Sequence, residues 1–274
     1  MFLDDEIEVL RPDLPRRRFQ SVLFDFDGTL SLIREGWPQV MIPMMVDVLR
    51  ETGTRETEIE LNAAVEEFVM RLNGRQTIYQ MIQLAEEVQR RGRTPLDPLQ
   101  YKNRYHDLLM ERIRGRLAAL ESGEASPQDW TVPGSHALLA ELRRRGLTLY
   151  LASGTDEQFV RREVELLGLT PFFGKNIYGA LDDYKSFSKR IIIAQILRDH
   201  DLCGEELLGF GDGFVEIEEI RKVGGVAVAV ASDEVRRQGV NEWKRNRLIR
   251  AGADIIIPEY RRHERLLRYL FAED

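Results

Sequence analysis

The chain has 274 residues, of which 43% are hydrophobic and 31% charged, enough for a real core and too apolar for a disordered chain. That length suits one main domain carrying a second, smaller one. A net charge of −7 excludes bulk attraction to nucleic acid and leaves only a local basic patch open.

Residues 1–19 are polar and contain Pro12, Pro15 and the run Arg16-Arg17-Arg18, which predicts an extended arm or an extra edge element. The acidic start Asp4-Asp5-Glu6 has no long apolar run, so no signal peptide is expected. No stretch reaches the roughly 20 apolar residues of a membrane span, and the cytoplasm is expected. Residues 21–26, Ser-Val-Leu-Phe-Asp-Phe, are a short β-rich run before Gly28 and predict a buried strand.

From Pro38 to Leu120 helix formers dominate, with apolar residues at helical spacing. The sets are Ile59, Ala63, Phe68 and Leu72; then Ile78, Met81, Ile82, Ala85 and Val88; then Tyr105, Leu108, Leu109, Ile113 and Leu117. With breaks at Gly53, at Asn73-Gly74 and across 92–98, the stretch predicts a small module of four helices.

From Val132 helices and strands alternate. Helices are predicted over 136–145, 156–167, 189–198 (capped by Ser188) and 215–223; strands over 147–152, 176–178, 207–210, 226–230 and 254–257. A further helix is expected between the last two strands and another after them. The lone cysteine, Cys203, excludes an internal disulfide and fits a reducing compartment; in the short polar stretch 200–204 it reads as a small packed residue.

Strands alternating with helices predict an α/β fold, a Rossmann-like doubly wound parallel sheet. The first strand stands before the helical stretch and the others after it, so an all-helical cap is inserted after the first strand. The expected division is an arm over 1–19, an α/β core over 20–33 and 132–274, and a cap over 34–131. Ligands bind beyond the carboxyl ends of such strands, where the insert would sit like a lid.

Four places there carry chemistry. In Asp25-Phe26-Asp27-Gly28-Thr29-Leu30, strand alternation puts Asp25 and Asp27 on one side, and two carboxylates at a strand tip suit a hard cation. In Ser153-Gly154-Thr155, a hydroxyl followed by glycine can take phosphate on its oxygen and backbone N–H groups. Lys189 opens a helix, and Gly211-Asp212-Gly213-Phe214-Val215-Glu216 is another acidic strand end. Singly, each has an ordinary reading: a turn, a helix cap, a solvated charge. Their order, each at the end of an apolar strand, is what points to a site.

The first of these resembles the first motif of the haloacid dehalogenase superfamily, and Ser153, Lys189 and Gly211-Asp212 with Glu216 resemble its second, third and fourth motifs. The resemblance runs from about residue 20 to the end, and the insert resembles the helical cap of phosphoglycolate phosphatase and β-phosphoglucomutase relatives. It implies that Asp25 attacks phosphorus to form an aspartyl-phosphate and that Asp27 protonates the leaving oxygen and then activates water. It implies Mg²⁺ held by Asp25, the backbone carbonyl of Asp27, and Asp212. The phosphate site would comprise Gly28, Thr29, Ser153, Gly154, Thr155 and Lys189. Glu216 stands where the family more often has aspartate; one methylene longer, it would act behind the metal through water or Lys189. Lys185, four residues upstream, competes with Lys189 for the third motif; Lys189 is preferred because it follows a cap residue.

The reading that follows is a Mg²⁺-dependent phosphatase acting on a small phosphorylated metabolite such as a sugar phosphate. A phosphomutase would keep the same motifs, and a binding module on the same fold would have no need of Asp27. Arg34, Glu35 and Trp37 could line the entrance, and Arg75 and Gln76, in a polar break of the cap, could reach a substrate. No nucleic-acid or membrane partner is expected, and the chain would be a monomer or homodimer.

Overall fold

The computed structural model describes residues 1–16, 18–181 and 188–273. In chain order its strands and helices are β1 (Glu8–Val9), β2 (Ser21–Phe24), α1 (Pro38–Arg50), α2 (Glu58–Leu72), α3 (Thr77–Arg90), α4 (Pro98–Ser122), α5 (Ser135–Arg144), β3 (Thr148–Asp156), α6 (Glu157–Leu166), α7 (Thr170–Phe173) and β4 (Ile177–Ala180). There follow α8 (Lys189–Asp199), β5 (Leu207–Gly211), α9 (Phe214–Lys222), β6 (Val226–Val230), α10 (Glu242–Arg250), β7 (Ile255–Ile257) and α11 (His263–Phe271). The chain forms two compact units, one of Met1–Glu35 with Ala119–Asp274 and one of Gly36–Ala118.

The first unit is the α/β one. Among the described residues its sheet has seven strands in the order β1-β7-β6-β5-β2-β3-β4. All neighbours are parallel except β1, which runs antiparallel to β7. Strands of a parallel sheet are covered on both faces and so read as unbroken apolar runs. Every residue of β2, β5, β6 and β7 is buried accordingly. From β2 the chain builds outward through β3 and β4 on one side, then returns to build β5, β6 and β7 on the other. The strand order therefore reverses between β2 and β5, and the crevice beyond their carboxyl ends is where an open α/β sheet places its site.

Several expectations change in detail. Of the two expectations for residues 1–19 the edge element is the one present, within the α/β unit and not as a separate arm: β1 edges the sheet, and Arg245 clamps Glu8 with bonds of 2.7 and 2.8 Å. Strand β3 does not stop at Ala152 but runs through the Ser-Gly-Thr motif to Asp156, with a register irregularity between Ala152 and Asp156. Cys203 is exposed rather than packed, because it precedes a short 3₁₀ turn whose Glu206 carboxylate accepts from the Cys203 N–H at 2.8 Å. That hydrogen-bonded glutamate, with burial in second place, raises the thiol pKa, which makes it a poor nucleophile.

The second unit is helical throughout. Thr57 caps α2 reciprocally with Glu60, whose N–H donates to the Thr57 hydroxyl while its carboxylate accepts from Thr57 N–H at 2.8 Å. The buried face of α2 is Leu61, Val65, Phe68, Val69 and Leu72. Ile59, expected in the core, is 82% exposed, and Ala63 is exposed with it; the pair lies two residues out of phase with the face that Phe68 and Leu72 define, on the opposite side of the helix. In α3 and α4 the expected apolar faces are buried except at Ile82, half-buried, and Leu108, exposed. This unit spans 36–118 rather than 34–131, because the last turn of α4 and residues 123–131 count with the α/β unit.

Candidate active site

The site is assembled at the switch point. Asp25 continues the ladder one residue past β2, its N–H donating to Phe210 C=O at 2.9 Å. The chain then turns back at Gly28, whose φ is +73°. A side chain there would collide with the carboxylate of Asp212, since a Cβ would lie 2.8 Å from Asp212 Cγ and 3.1 Å from Glu234 Oε1. Gly28 thus serves twice, taking a left-handed conformation and letting the end of β5 approach the turn. Two packing contacts support the turn from below: Tyr260 Oη donates to Thr29 C=O at 2.9 Å, and Phe24 stacks on Phe210 at 4.8 Å.

Three buried cations organise the carboxylates, and each bridges one motif aspartate and one glutamate. Lys189, at the first turn of α8 behind the Ser188 cap, places Nζ 2.8 Å from Asp25 Oδ1 and 2.7 Å from Glu216 Oε2. Lys244, from α10, places Nζ 2.8 Å from Asp212 Oδ2 and 2.6 Å from Glu234 Oε1. Arg34 grips Glu163 of α6, with a shortest contact of 2.6 Å, and its Nε lies 3.7 Å from Asp27 Oδ1. Burial opposes the charge of Lys189, but Asp25 and Glu216 outweigh it and hold the ammonium above the usual lysine range. Burial, reinforced by the charges of Glu216 and Asp212, raises the Asp25 pKa well above the ordinary carboxylate range, against the 2.8 Å contact with Lys189, which works for its carboxylate form.

Asp27 has different surroundings. Its Oδ2 accepts from Thr155 Oγ1 at 2.9 Å and, at a long 3.4 Å, from Ser153 Oγ. Ser153 Oγ in turn accepts from Thr155 N–H at 3.0 Å. Burial of the Asp27 carboxyl, opposed by Arg34 and reinforced by Glu163, lifts its pKa to about 6. That suits a group that gives and takes protons near neutral pH.

Asp25, Asp212 and Glu216 each bring a carboxylate oxygen within 4.8 Å of the others. Both oxygens of Glu216 are already committed, Oε1 to Gly213 N–H at 2.5 Å and Oε2 to Lys189. Asp25 and Asp212 are therefore the better donors, and a set made of oxygens alone suits a hard divalent cation.

The structure thus brings together Asp25, Asp27, Gly28, Thr29, Ser153, Thr155, Lys189, Asp212 and Glu216. Thr29 Oγ1 faces Asp212 Oδ1 at 3.5 Å, and Gly154 lies in β3 between the two hydroxyl residues. Lys185 lies outside the described residues. Arg34 is in the α/β unit, buried and bound to Glu163, rather than in the helical one. Trp37, Arg75 and Gln76 belong to the helical unit: Trp37 is half-buried before α1, Arg75 is exposed over the Tyr79 ring at 5.9 Å, and Gln76 is buried before α3. Sequence reasoning missed Glu163, Ser232, Glu234 and Lys244. Only Asn241, a capping residue three before Lys244, gave a local sign, and it marks the helix rather than the site.

The site thus presents, at the switch point of an α/β sheet, one carboxylate paired with an ammonium at 2.8 Å and a second aspartate two residues on. The family model of the haloacid dehalogenase-like hydrolases matches residues 19–224, and the chain belongs to that family. A search of curated proteins found no match. Among solved structures, a predicted phosphoglycolate phosphatase from Haemophilus somnus is similar at 15% identity, covering 91% of this chain and 98% of its own, with a TM-score of 0.58. A predicted phosphatase from Clostridium acetobutylicum is similar at 18% identity over 91% and 99%, with a TM-score of 0.55. CbbY from Rhodobacter sphaeroides, in complex with phosphate, is similar at 19% identity over 88% and 95%, with a TM-score of 0.53. At these identities the likeness is one of fold. Among the described residues, no helix is long and apolar enough to cross a membrane.

Proposed function

We propose that the chain is a Mg²⁺-dependent phosphatase that hydrolyses a small phosphorylated metabolite, such as a sugar phosphate, in two steps through Asp25. The observation that carries the reading is the placing of two neighbouring carboxyls on different partners: Asp25 lies 2.8 Å from the Lys189 ammonium, and Asp27 accepts from the Thr155 hydroxyl at 2.9 Å with a pKa near 6. An ion-paired carboxylate can act as a nucleophile, whereas a carboxyl poised near neutrality can exchange protons.

In the first step an Asp25 oxygen bonds to phosphorus, the ester bond breaks, and Asp27 gives its proton to the departing oxygen. In the second, the Asp27 carboxylate takes a proton from water, the water oxygen bonds to phosphorus, and the Asp25–phosphorus bond breaks. Asp25 returns as carboxylate, Asp27 as acid, and inorganic phosphate leaves. Lys189 offsets the charge that gathers as two anionic groups approach, and the hydroxyls of Ser153 and Thr155 hold Asp27 in place. Asp25, the backbone carbonyl of Asp27, and Asp212 would hold the metal, whose contribution when bound is to neutralise charge between the carboxylate and the phosphate.

The test is metal removal. Hydrolysis of p-nitrophenyl phosphate should stop in excess EDTA and return with Mg²⁺. A rate that persists in metal-stripped protein would remove the metal-dependent reading.

A further inference from the structure

We propose that the buried ammonium of Lys244 is a built-in rival of the divalent cation for Asp212, with Glu234 as its second partner, and that this pair sets the affinity of the metal site. The inference rests on the metal-dependent reading above and goes beyond it.

Lys244 Nζ makes three contacts: Asp212 Oδ2 at 2.8 Å, Glu234 Oε1 at 2.6 Å and Ser232 Oγ at 3.4 Å. Its side chain is 9% exposed, so the charge has no easy route to solvent. Its backbone is fixed as well, because Lys244 N–H donates to the Asn241 cap at 3.0 Å in the first turn of α10. The same small region contains the turn after Asp27, since Ser232 Oγ donates to Gly28 C=O at 2.9 Å. Glu234 reaches that turn too, close to where a Gly28 side chain would be.

A fixed positive charge on one oxygen of a ligand carboxylate has two consequences. It compensates Asp212 when no metal is bound, which spares the fold two uncompensated carboxylates side by side. It also repels an arriving dication. Even at the dielectric of bulk water, about 80, a unit charge roughly 5 Å from a dication costs the latter about tenfold in affinity. Glu234 moderates this cost. Slightly nearer the ammonium than Asp212 is, it shares the charge and keeps Lys244 satisfied when Asp212 turns to the cation.

Electrostatic rivalry and mere positioning predict opposite signs. If Lys244 only oriented Asp212, removing it would weaken metal binding. Under rivalry, removing it strengthens binding, and removing Glu234 leaves the whole charge on Asp212 and weakens it. The experiment is calorimetric titration of the metal-stripped full chain with MgCl₂, with circular dichroism confirming that each variant is folded. Lys244→Met and Lys244→Gln should each bind Mg²⁺ about tenfold tighter than wild type, and Glu234→Gln about tenfold weaker. Unchanged or weaker binding by the Lys244 variants, or unchanged or tighter binding by Glu234→Gln, would overturn the inference. If Lys244→Met fails to fold, Lys244→Gln, which keeps hydrogen-bonding capacity without the charge, and Glu234→Gln decide it. Wild type that binds no Mg²⁺ would overturn the metal-dependent reading along with it; wild type that binds, with variants of the wrong sign, overturns the Lys244 inference alone.

Discussion

Replacing Gly28 by alanine adds one methyl group at a tight point of the site. The new Cβ would stand 2.8 Å from Asp212 Cγ, whereas carbon atoms pack at about 3.5–4.0 Å, so the carboxylate must retreat by about 1 Å. Lys244, bonded to Asp212 Oδ2 at 2.8 Å, blocks an easy sideways escape. The φ of +73° adds a backbone cost of about 1–2 kcal/mol for a residue with a side chain. That cost is small against the stability of a domain of ordinary size, so Gly28→Ala should fold. Magnesium tolerates little deviation from octahedral geometry at about 2.0–2.1 Å, and a ligand moved by about 1 Å is lost to it. Mg²⁺ affinity measured by titration calorimetry should therefore fall at least about tenfold, the range seen when a ligand's support is removed. Urea unfolding should show a loss of about 1–3 kcal/mol, the strained φ plus the displaced side chain. A folded Gly28→Ala protein that bound Mg²⁺ like wild type would refute the reasoning.

Arg34→Met should destabilise the α/β unit by about 3–5 kcal/mol, because it strands Glu163, whose side chain is 3% exposed; urea unfolding measures it, and the double change with Glu163→Met should recover most of the loss. Unequal costs that add in the double variant would show that the two residues do not act as a pair. Glu141, held first by Arg144, against the opposing effect of burial, and then by Arg145, has a folded pKa lowered to about 2 from an ordinary 4.5. A lowered carboxyl pKa stabilises the fold above the unfolded value, and that contribution is lost as pH falls from 4.5 through about 2. Glu141→Gln should thus cost at most about 1 kcal/mol at pH 7, as exposed pairs do, and nothing near pH 2; a cost independent of pH would contradict the assignment.

What could be read from the sequence was what depends on local pattern. Asp25, Asp27 and Asp212 stand where apolar runs end, and a parallel sheet gathers such ends on one side. Lys189 was marked by the Ser188 cap, which fixes the start of α8 and with it the direction of the lysine. The buried glutamates carry no such mark. Glu163 sits inside an amphipathic helix among other charges, and its partner Arg34 is 129 residues away. Lys244 is one cation in the run Glu242-Trp243-Lys244-Arg245-Asn246-Arg247, and only the packing of α10 decides which of them faces Asp212. Ile59 misled for the opposite reason: it fits a helical period, but a period two residues out of phase with the face that packs.

The most direct test of the account is to trap phosphate on Asp25. An acyl phosphate is reduced by borohydride to the alcohol, so quenching the enzyme during turnover of p-nitrophenyl phosphate should convert Asp25 to homoserine, read by mass spectrometry of the peptide that contains it. The account predicts that product at Asp25 in the wild type, and neither product nor turnover in folded Asp25→Asn. Turnover by Asp25→Asn near the wild-type rate, or the reduced product at another residue, would contradict it.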